Sequence, residues 1–119
     1  MNITAEEYRK IKPKKANKYK NVKVNYNGLT FDSKREFKRF LELKELLEQR
    51  LISELETQVK FEIIPKTGKE QACNYIADFM YKDNEKNLVV EDSKGKKTAN
   101  YIIKRKLMNL VYGIEIKET

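Results

Sequence analysis

The chain has 119 residues, enough for one domain with a modest hydrophobic core, and 37% of them are charged with a net charge of +8. Such a basic surface favours a polyanionic partner, either nucleic acid or an anionic membrane face. Histidine is absent and Cys73 is the single cysteine, which excludes His-dependent catalysis, Cys/His zinc sites and an internal disulfide.

The N-terminal segment concentrates the positive charge. Residues 1–24 hold eight basic and two acidic side chains, so +6 of the net +8 lies there. With Pro13 and little apolar periodicity, residues 1–18 are expected to form a basic arm that tethers phosphates, the alternative being a solubilising tail. Because no apolar signal segment or membrane-length run occurs, we expect a cytoplasmic protein without membrane contact, whose folded domain spans residues 19–119.

A hairpin and a helix are predicted next. Residues 22–26 and 29–31 flank Asn27-Gly28, the dipeptide typical of a two-residue hairpin turn. Apolar residues at spacings of three and four then predict a helix from Lys34 to Arg50.

Three strands and a second helix follow in the predicted order. Alternation and apolar runs predict strands over residues 59–64, 73–81 and 88–94, which would form an antiparallel meander. A helix over residues 99–112 is indicated by Thr98 as its cap and Gly113 as its stop, and residues 114–117 resemble a short last strand. The order α-β-β-β-α-β predicts an α/β fold with a mixed sheet.

Glu36 lies at the edge of the apolar stripe of the first helix. The sequence Ser33-Lys34-Arg35-Glu36 fits a capping box, in which the glutamate reaches back to the start of the helix. From the residues alone, a capping role is favoured over a role in a site.

Asp78, Asp92 and Lys94 indicate chemistry at the end of the meander. Asp78 interrupts an apolar strand, and period-two geometry places Asp92 and Lys94 on one face of the third strand, with Glu91 on the other. If the second and third strands pair, the two aspartates converge, and their repulsion favours a bound cation. Oxygen ligands favour Mg²⁺ or Mn²⁺, which activates water for attack on a phosphodiester.

These residues carry a resemblance. Asp78 followed by Asp92-Ser93-Lys94 resembles the P-D…(D/E)-x-K signature of the restriction-endonuclease-like nuclease superfamily, with Ala77 in place of the proline. The run from Tyr19 to Glu118, with FDSKREFKRFLEL, YIADF and VVEDSKG, is similar to a family of small phage proteins described as Holliday junction resolvases.

The resemblance implies a restriction-endonuclease-like core with Glu36, Asp78 and Asp92 as acids of a Mg²⁺ or Mn²⁺ site and Lys94 as the catalytic lysine. It also implies DNA recombination in a bacterial host cell, with branched DNA as substrate and a homodimer, since two symmetric strands must be cut. Gln58 resembles a glutamine found near such sites, the alternative being an exposed edge residue. Candidates for phosphate contact on the second helix are Lys97, Lys104, Arg105 and Lys106, with Tyr101 either stacking on a base or packing.

Three functions therefore compete. The leading hypothesis is a Mg²⁺-dependent, structure-selective DNA endonuclease. The second is a non-catalytic nucleic-acid-binding module that uses the arm and the second helix, and the third is an assembly protein that binds an acidic partner through the arm.

Overall fold

The computed structural model describes residues 23–94 and 96–119, so the predicted arm, residues 1–18, lies outside the described residues. The chain divides into two units, Met1–Leu51 and Ile52–Thr119. Within the described ranges, none of the helices has the length and apolar character needed to span a membrane.

The described part of the first unit begins with a hairpin. Strands β1 (Val24–Tyr26) and β2 (Leu29–Phe31) pair antiparallel around Asn27 and Gly28, whose φ angles are 49° and 80°. A tight two-residue turn of this hand needs positive φ at both positions, which Asn and Gly tolerate best. The predicted hairpin is confirmed.

Helix α1 (Lys34–Glu48) follows the hairpin and packs on it through aromatic rings. The ring of Phe31 lies 5.4 Å from that of Phe37 and 4.9 Å from that of Phe40, measured between centroids. The helix ends two residues before the predicted boundary because Arg50 adopts a left-handed φ of 62°, which a right-handed helix excludes.

The second unit is built on a mixed four-stranded sheet with the order β3-β4-β5-β6. Its strands are β3 (Ile52–Ile64), β4 (Cys73–Asp83), β5 (Leu88–Asp92) and β6 (Lys117–Glu118). The first three form the predicted antiparallel meander, and β6 lies parallel to β5. The predicted α/β fold with a mixed sheet is confirmed.

Two strand boundaries differ from the prediction. Strand β3 begins at Ile52 instead of Val59. The sequence did not predict its first half because a bulge between Ser53 and Glu56, with Glu54 at a φ of 54°, interrupts the alternation that a regular strand shows. Strand β6 is confined to residues 117–118, since Ile114 and Ile116 pack into the core before the chain reaches the sheet.

Helix α2 (Ala99–Tyr112) joins β5 to β6, as a parallel pair requires a long crossover. Thr98 Oγ1 accepts a hydrogen bond from the Tyr101 amide (3.1 Å), and Gly113 ends the helix at a φ of 67°, so the predicted cap and stop are confirmed. Val111, near the C-terminal end of the helix, is half exposed. The helix contributes Tyr101 and Met108 to a core whose other members are Ile63, Tyr75, Ala77, Val90 and Ile116.

Candidate functional site

The regular pairing of β3 with β4 is interrupted at Gln58 and Asp78. Thr57 pairs with Phe79 and Val59 with Ala77, so the position between them sets Gln58 opposite Asp78, and Gln58 has a φ of 53°. Side-chain alternation also breaks on β4, because residues 77 and 80 both contact the same core although they are three apart. The alternation of a regular strand therefore does not extend from Ile76 through Asp78 to Met80.

The register of β4 with β5 brings Asp78 and Asp92 together. Phe79 pairs with Glu91, and continuing that register sets Asp78 opposite Asp92 on β5. The Ser93 amide donates to Asp78 Oδ2 at 2.8 Å, which holds the first carboxyl group in place. The two aspartates therefore converge, as the strand pairing predicted from the sequence requires.

One oxygen of Asp92 accepts a hydrogen bond, and the other has the ion pair with Lys94 at 3.7 Å. The Tyr75 hydroxyl donates to Asp92 Oδ2 at 2.5 Å, and the side chain is 2% exposed. The other oxygen, Oδ1, is buried without a hydrogen-bond partner. An unsatisfied buried carboxylate oxygen costs free energy unless a cation or a donor reaches it.

Burial raises the pKa values of both aspartates, and repulsion by Asp92 adds to the rise for Asp78. Burial, and then the charge of Asp92, raise the pKa of Asp78 to about 7, although the Ser93 amide and Lys94 oppose the shift. Burial also raises the pKa of Asp92, while the bond from Tyr75 and the charge of Lys94 lower it. Without a cation, the pair therefore retains a proton at pH values where isolated aspartates are ionised.

Lys94 supplies the nearest positive charge. Its Nζ lies 3.7 Å from Asp92 Oδ1 and 5.1 Å from the centroid of the Tyr101 ring, and the side chain is partly exposed. Asp92 and Lys94 are thus on the same face, as period-two spacing predicts, although β5 ends at Asp92. Glu91 is fully buried on the other face and accepts a hydrogen bond from the Tyr81 hydroxyl.

The basic candidates in and just before α2 comprise two residues paired with Glu118, a half-buried lysine and an exposed one, Lys106. Arg105 Nη1 lies 3.0 Å from Glu118 Oε1 and Lys97 Nζ lies 3.5 Å from Glu118 Oε2, while Lys104 is half-buried. Tyr101 is 5% exposed, which leaves no ring face for a base and supports packing over stacking. Gln58 is exposed, and its position opposite Asp78 sets it next to the aspartate pair in the sheet.

Glu36 lies in the first unit, where it takes part in the cap of α1. Its own amide donates to Ser33 Oγ (3.1 Å), and its Oε2 accepts from the Asp32 amide (3.2 Å), one residue earlier than a standard capping box. The predicted cap is therefore observed. The role of Glu36 as a metal ligand stays a prediction.

The aspartate pair fits a hard divalent cation as a site with two protein ligands. Its donors are carboxylate oxygens, and one of them, Asp92 Oδ1, is buried without a hydrogen-bond partner. In the part of the chain that the structure describes, no group of three or more His, Cys, Asp or Glu side chains is gathered as a metal site. Mg²⁺ suits such a pair because it retains several waters and needs one or two carboxylates.

Sequence reasoning missed two residues of this region. Tyr75 is separated from Asp92 by 17 positions, and nothing in the sequence around it distinguishes it from the other tyrosines predicted on strands. Glu118 lies in the parallel register opposite Asp92, in a segment whose only sequence signal was its apolar neighbours. Neither role has a local pattern, because both depend on which strands are adjacent.

Comparison with known families gives one match. A family described as "Protein of unknown function (DUF1064)" matches residues 16–119. No curated protein and no solved structure matches the chain.

Proposed function

Since the chain belongs to the DUF1064 family of proteins of unknown function, its activity has to be argued from its own residues, and we propose that it is a metal-dependent DNA endonuclease. The observation that carries the proposal is the buried aspartate pair with its unsatisfied oxygen and adjacent lysine. A pair of acids with raised pKa values beside a partly exposed lysine is typical of a site that binds a cation and an anion together.

Asp78 and Asp92 would hold Mg²⁺ or Mn²⁺, which when bound lowers the pKa of a water molecule and neutralises charge on the phosphodiester. The residues of the chain prepare the site. The Ser93 amide fixes one oxygen of Asp78, and the Tyr75 hydroxyl fixes one oxygen of Asp92. The Lys94 ammonium group then stabilises the additional negative charge that develops on the phosphate as water attacks phosphorus.

The chain order of the elements supports a restriction-endonuclease-like fold, because a helix, an antiparallel meander, a crossover helix and a parallel strand follow one another in that sequence. Branched DNA as substrate, a homodimer and a phage origin rest on the sequence resemblance. The net charge of +8 supports a nucleic-acid partner in general.

The test is cleavage of a labelled four-way junction and a linear duplex in Mg²⁺, in Mn²⁺ and in EDTA. We expect cleavage in either metal, and a loss of about 10³-fold or more in Asp78→Asn and Asp92→Asn, because each variant removes a ligand of the metal. Both variants should still bind DNA in EDTA, since each removes a negative charge that faces the phosphates. Glu62→Gln, which removes an exposed carboxylate on β3, is the matched control and should cleave normally.

A thermal melt with and without Mn²⁺ separates metal binding from catalysis. Mn²⁺ should raise the melting temperature of the wild type and of Glu62→Gln but not of Asp78→Asn, because a ligand that binds only the folded state stabilises it. Cleavage that persists in EDTA contradicts the metal mechanism. Binding of DNA without cleavage in either metal supports the non-catalytic module instead.

A further inference from the structure

Glu118 lies between two basic side chains of the segment that leads into and forms α2. Its Oε1 accepts a hydrogen bond from Arg105 at 3.0 Å, and its Oε2 is 3.5 Å from Lys97 Nζ. Glu118 is about one quarter exposed and Arg105 about one third, so the contact is open to solvent at one side. A carboxylate held by two cations in this way occupies a site for an anion.

The site is built on a buried tyrosine. The side chains of Lys94 and Arg105 lie over the Tyr101 ring, at 5.1 Å and 5.8 Å from its centroid. The Tyr101 hydroxyl is buried beside the Glu118 carboxylate. The carboxylate therefore lies in a cluster that contains three cations and a buried hydroxyl group.

The cluster is accessible and adjacent to the aspartate pair. Arg105 and Glu118 line an open groove of about 640 Å³ beside α2 and the C-terminal segment, and Glu115 lines the same groove. Glu118 pairs with Asp92 in the parallel register, so its Cα is one strand away, about 4.8 Å in a sheet. An anion bound in place of Glu118 would thus lie beside the proposed site of hydrolysis.

We propose that Glu118 occupies a subsite for a phosphate of the nucleic-acid backbone and that binding exchanges its carboxylate for that phosphate. The proposal rests on the proposed function, since the ligand is the DNA that the aspartate pair would cut. A phosphodiester offers Arg105 and Lys97 two charged acceptor oxygens, as a carboxylate does. Glu118 then competes with DNA and limits its affinity.

The experiment measures the affinity of a fluorescent DNA duplex by anisotropy, in EDTA and over a series of salt concentrations. The variants are Glu118→Gln and, as the matched control, Glu115→Gln, which removes the same charge from the same groove. We expect Glu118→Gln to bind about fivefold more tightly than Glu115→Gln, the size of one partly exposed ion pair. Its slope of log K against log salt should be steeper by about 0.9, because no displaced carboxylate is left to take up a cation when Arg105 binds the phosphate.

Two further measurements distinguish the loss of the Glu118 charge from a change of fold in the variant. Arg105→Gln in the Glu118→Gln background should remove the gain in affinity. In the unaltered protein, the carboxyl carbon resonance of Glu118 should move on addition of DNA while that of Glu115 stays in place.

Each outcome decides the proposal. Equal shifts in the Glu118→Gln and Glu115→Gln affinities, or a Glu118 resonance that DNA leaves unchanged, overturn the subsite. Metal-dependent cleavage that requires Asp78 would still support the endonuclease in that case. A wild-type protein that neither binds nor cleaves DNA overturns both.

Discussion

Two tyrosines on β4 hold two consecutive carboxylates on β5. The Tyr75 hydroxyl donates to Asp92, and the Tyr81 hydroxyl donates to Glu91, on the opposite face of the strand. A buried carboxylate needs such donors, since leaving it unsatisfied costs more than a normal hydrogen bond contributes. Only the bond from Tyr75 involves a member of the aspartate pair, so a substitution of Tyr81 serves as a control for the same substitution of Tyr75.

We expect Tyr75→Phe to weaken Mn²⁺ binding roughly tenfold near pH 7, the size of one hydrogen bond to a charged group. The bond from Tyr75 lowers the pKa of Asp92, so its loss raises that pKa and protons compete better with the metal. The deficit should shrink as the pH is raised, because protonation then no longer competes. Calorimetric titration with Mn²⁺ at several pH values measures this.

Tyr81→Phe is the control for this prediction, because it removes a hydroxyl of the same strand that bonds Glu91 instead. It should leave Mn²⁺ affinity unchanged at each pH. Equal losses in both variants would mean that Tyr75 acts through general packing and not through Asp92.

At the scale of the elements, β3 has two residues in a conformation that strands rarely contain. Glu54 and Gln58 have φ angles of 54° and 53°. A non-glycine residue in this region is strained by about 1 kcal/mol. Glu54 lies at a bulge and forms an ion pair with Lys82. Gln58 lies opposite Asp78, where the pairing of β3 with β4 is interrupted. Backbone strain of this kind clusters at functional sites, which favours a role for Gln58 in the candidate site.

Gln58→Gly and Glu54→Gly separate strain from function. Both substitutions relieve a left-handed φ, so each should increase the free energy of unfolding or leave it nearly unchanged, within about 1 kcal/mol. Gln58→Gly should reduce DNA cleavage at least several-fold, because it removes the side chain next to the aspartate pair, and Glu54→Gly should not. Urea denaturation and cleavage rates check the two effects, and an unaffected cleavage rate in Gln58→Gly would falsify the assignment of Gln58 to the site.

At the scale of the whole molecule, the aspartate pair connects stability to pH. The pKa of Asp78 is about 7 in the folded protein, above the value near 3.8 of an unperturbed aspartate. A group whose pKa is raised by folding binds more protons in the folded state. Its contribution to stability is therefore complete below about pH 4 and is lost as the pH rises through about 7.

We expect the metal-free wild type to lose about 2–3 kcal/mol of unfolding free energy between pH 5 and pH 8 relative to Asp78→Asn, which lacks the Asp78 proton. Urea denaturation in EDTA, followed by circular dichroism, measures the difference. Asp83→Asn is the control, because hydrogen bonds from Asn87 and Glu85 lower the pKa of Asp83 and so confine its effect to more acidic solutions. A pH response that is the same in the wild type and Asp78→Asn would contradict the coupling of the two aspartates.

The predictability of the fold and of the site differs element by element. Both helices and the hairpin follow from caps, turn residues and spacing, all of which are local. The first half of β3 was missed because its exposed charged residues and bulge remove the period of two. At the site, the convergence of Asp78 with Asp92 was predictable from a hairpin register, whereas the break in alternation at Asp78 was not.

The sequence by itself determined the α/β element order, the basic charge and the candidate acids with Lys94, because each of these depends on residue type and short-range spacing. Tertiary structure alone decided that Tyr75 holds Asp92, that the register sets Gln58 opposite Asp78 and that Glu118 neutralises Arg105 and Lys97. The physical reason is the same in all three cases. Each contact joins residues on different strands or on a strand and a helix, and strand order and register bring these residues together without any trace in their local sequence.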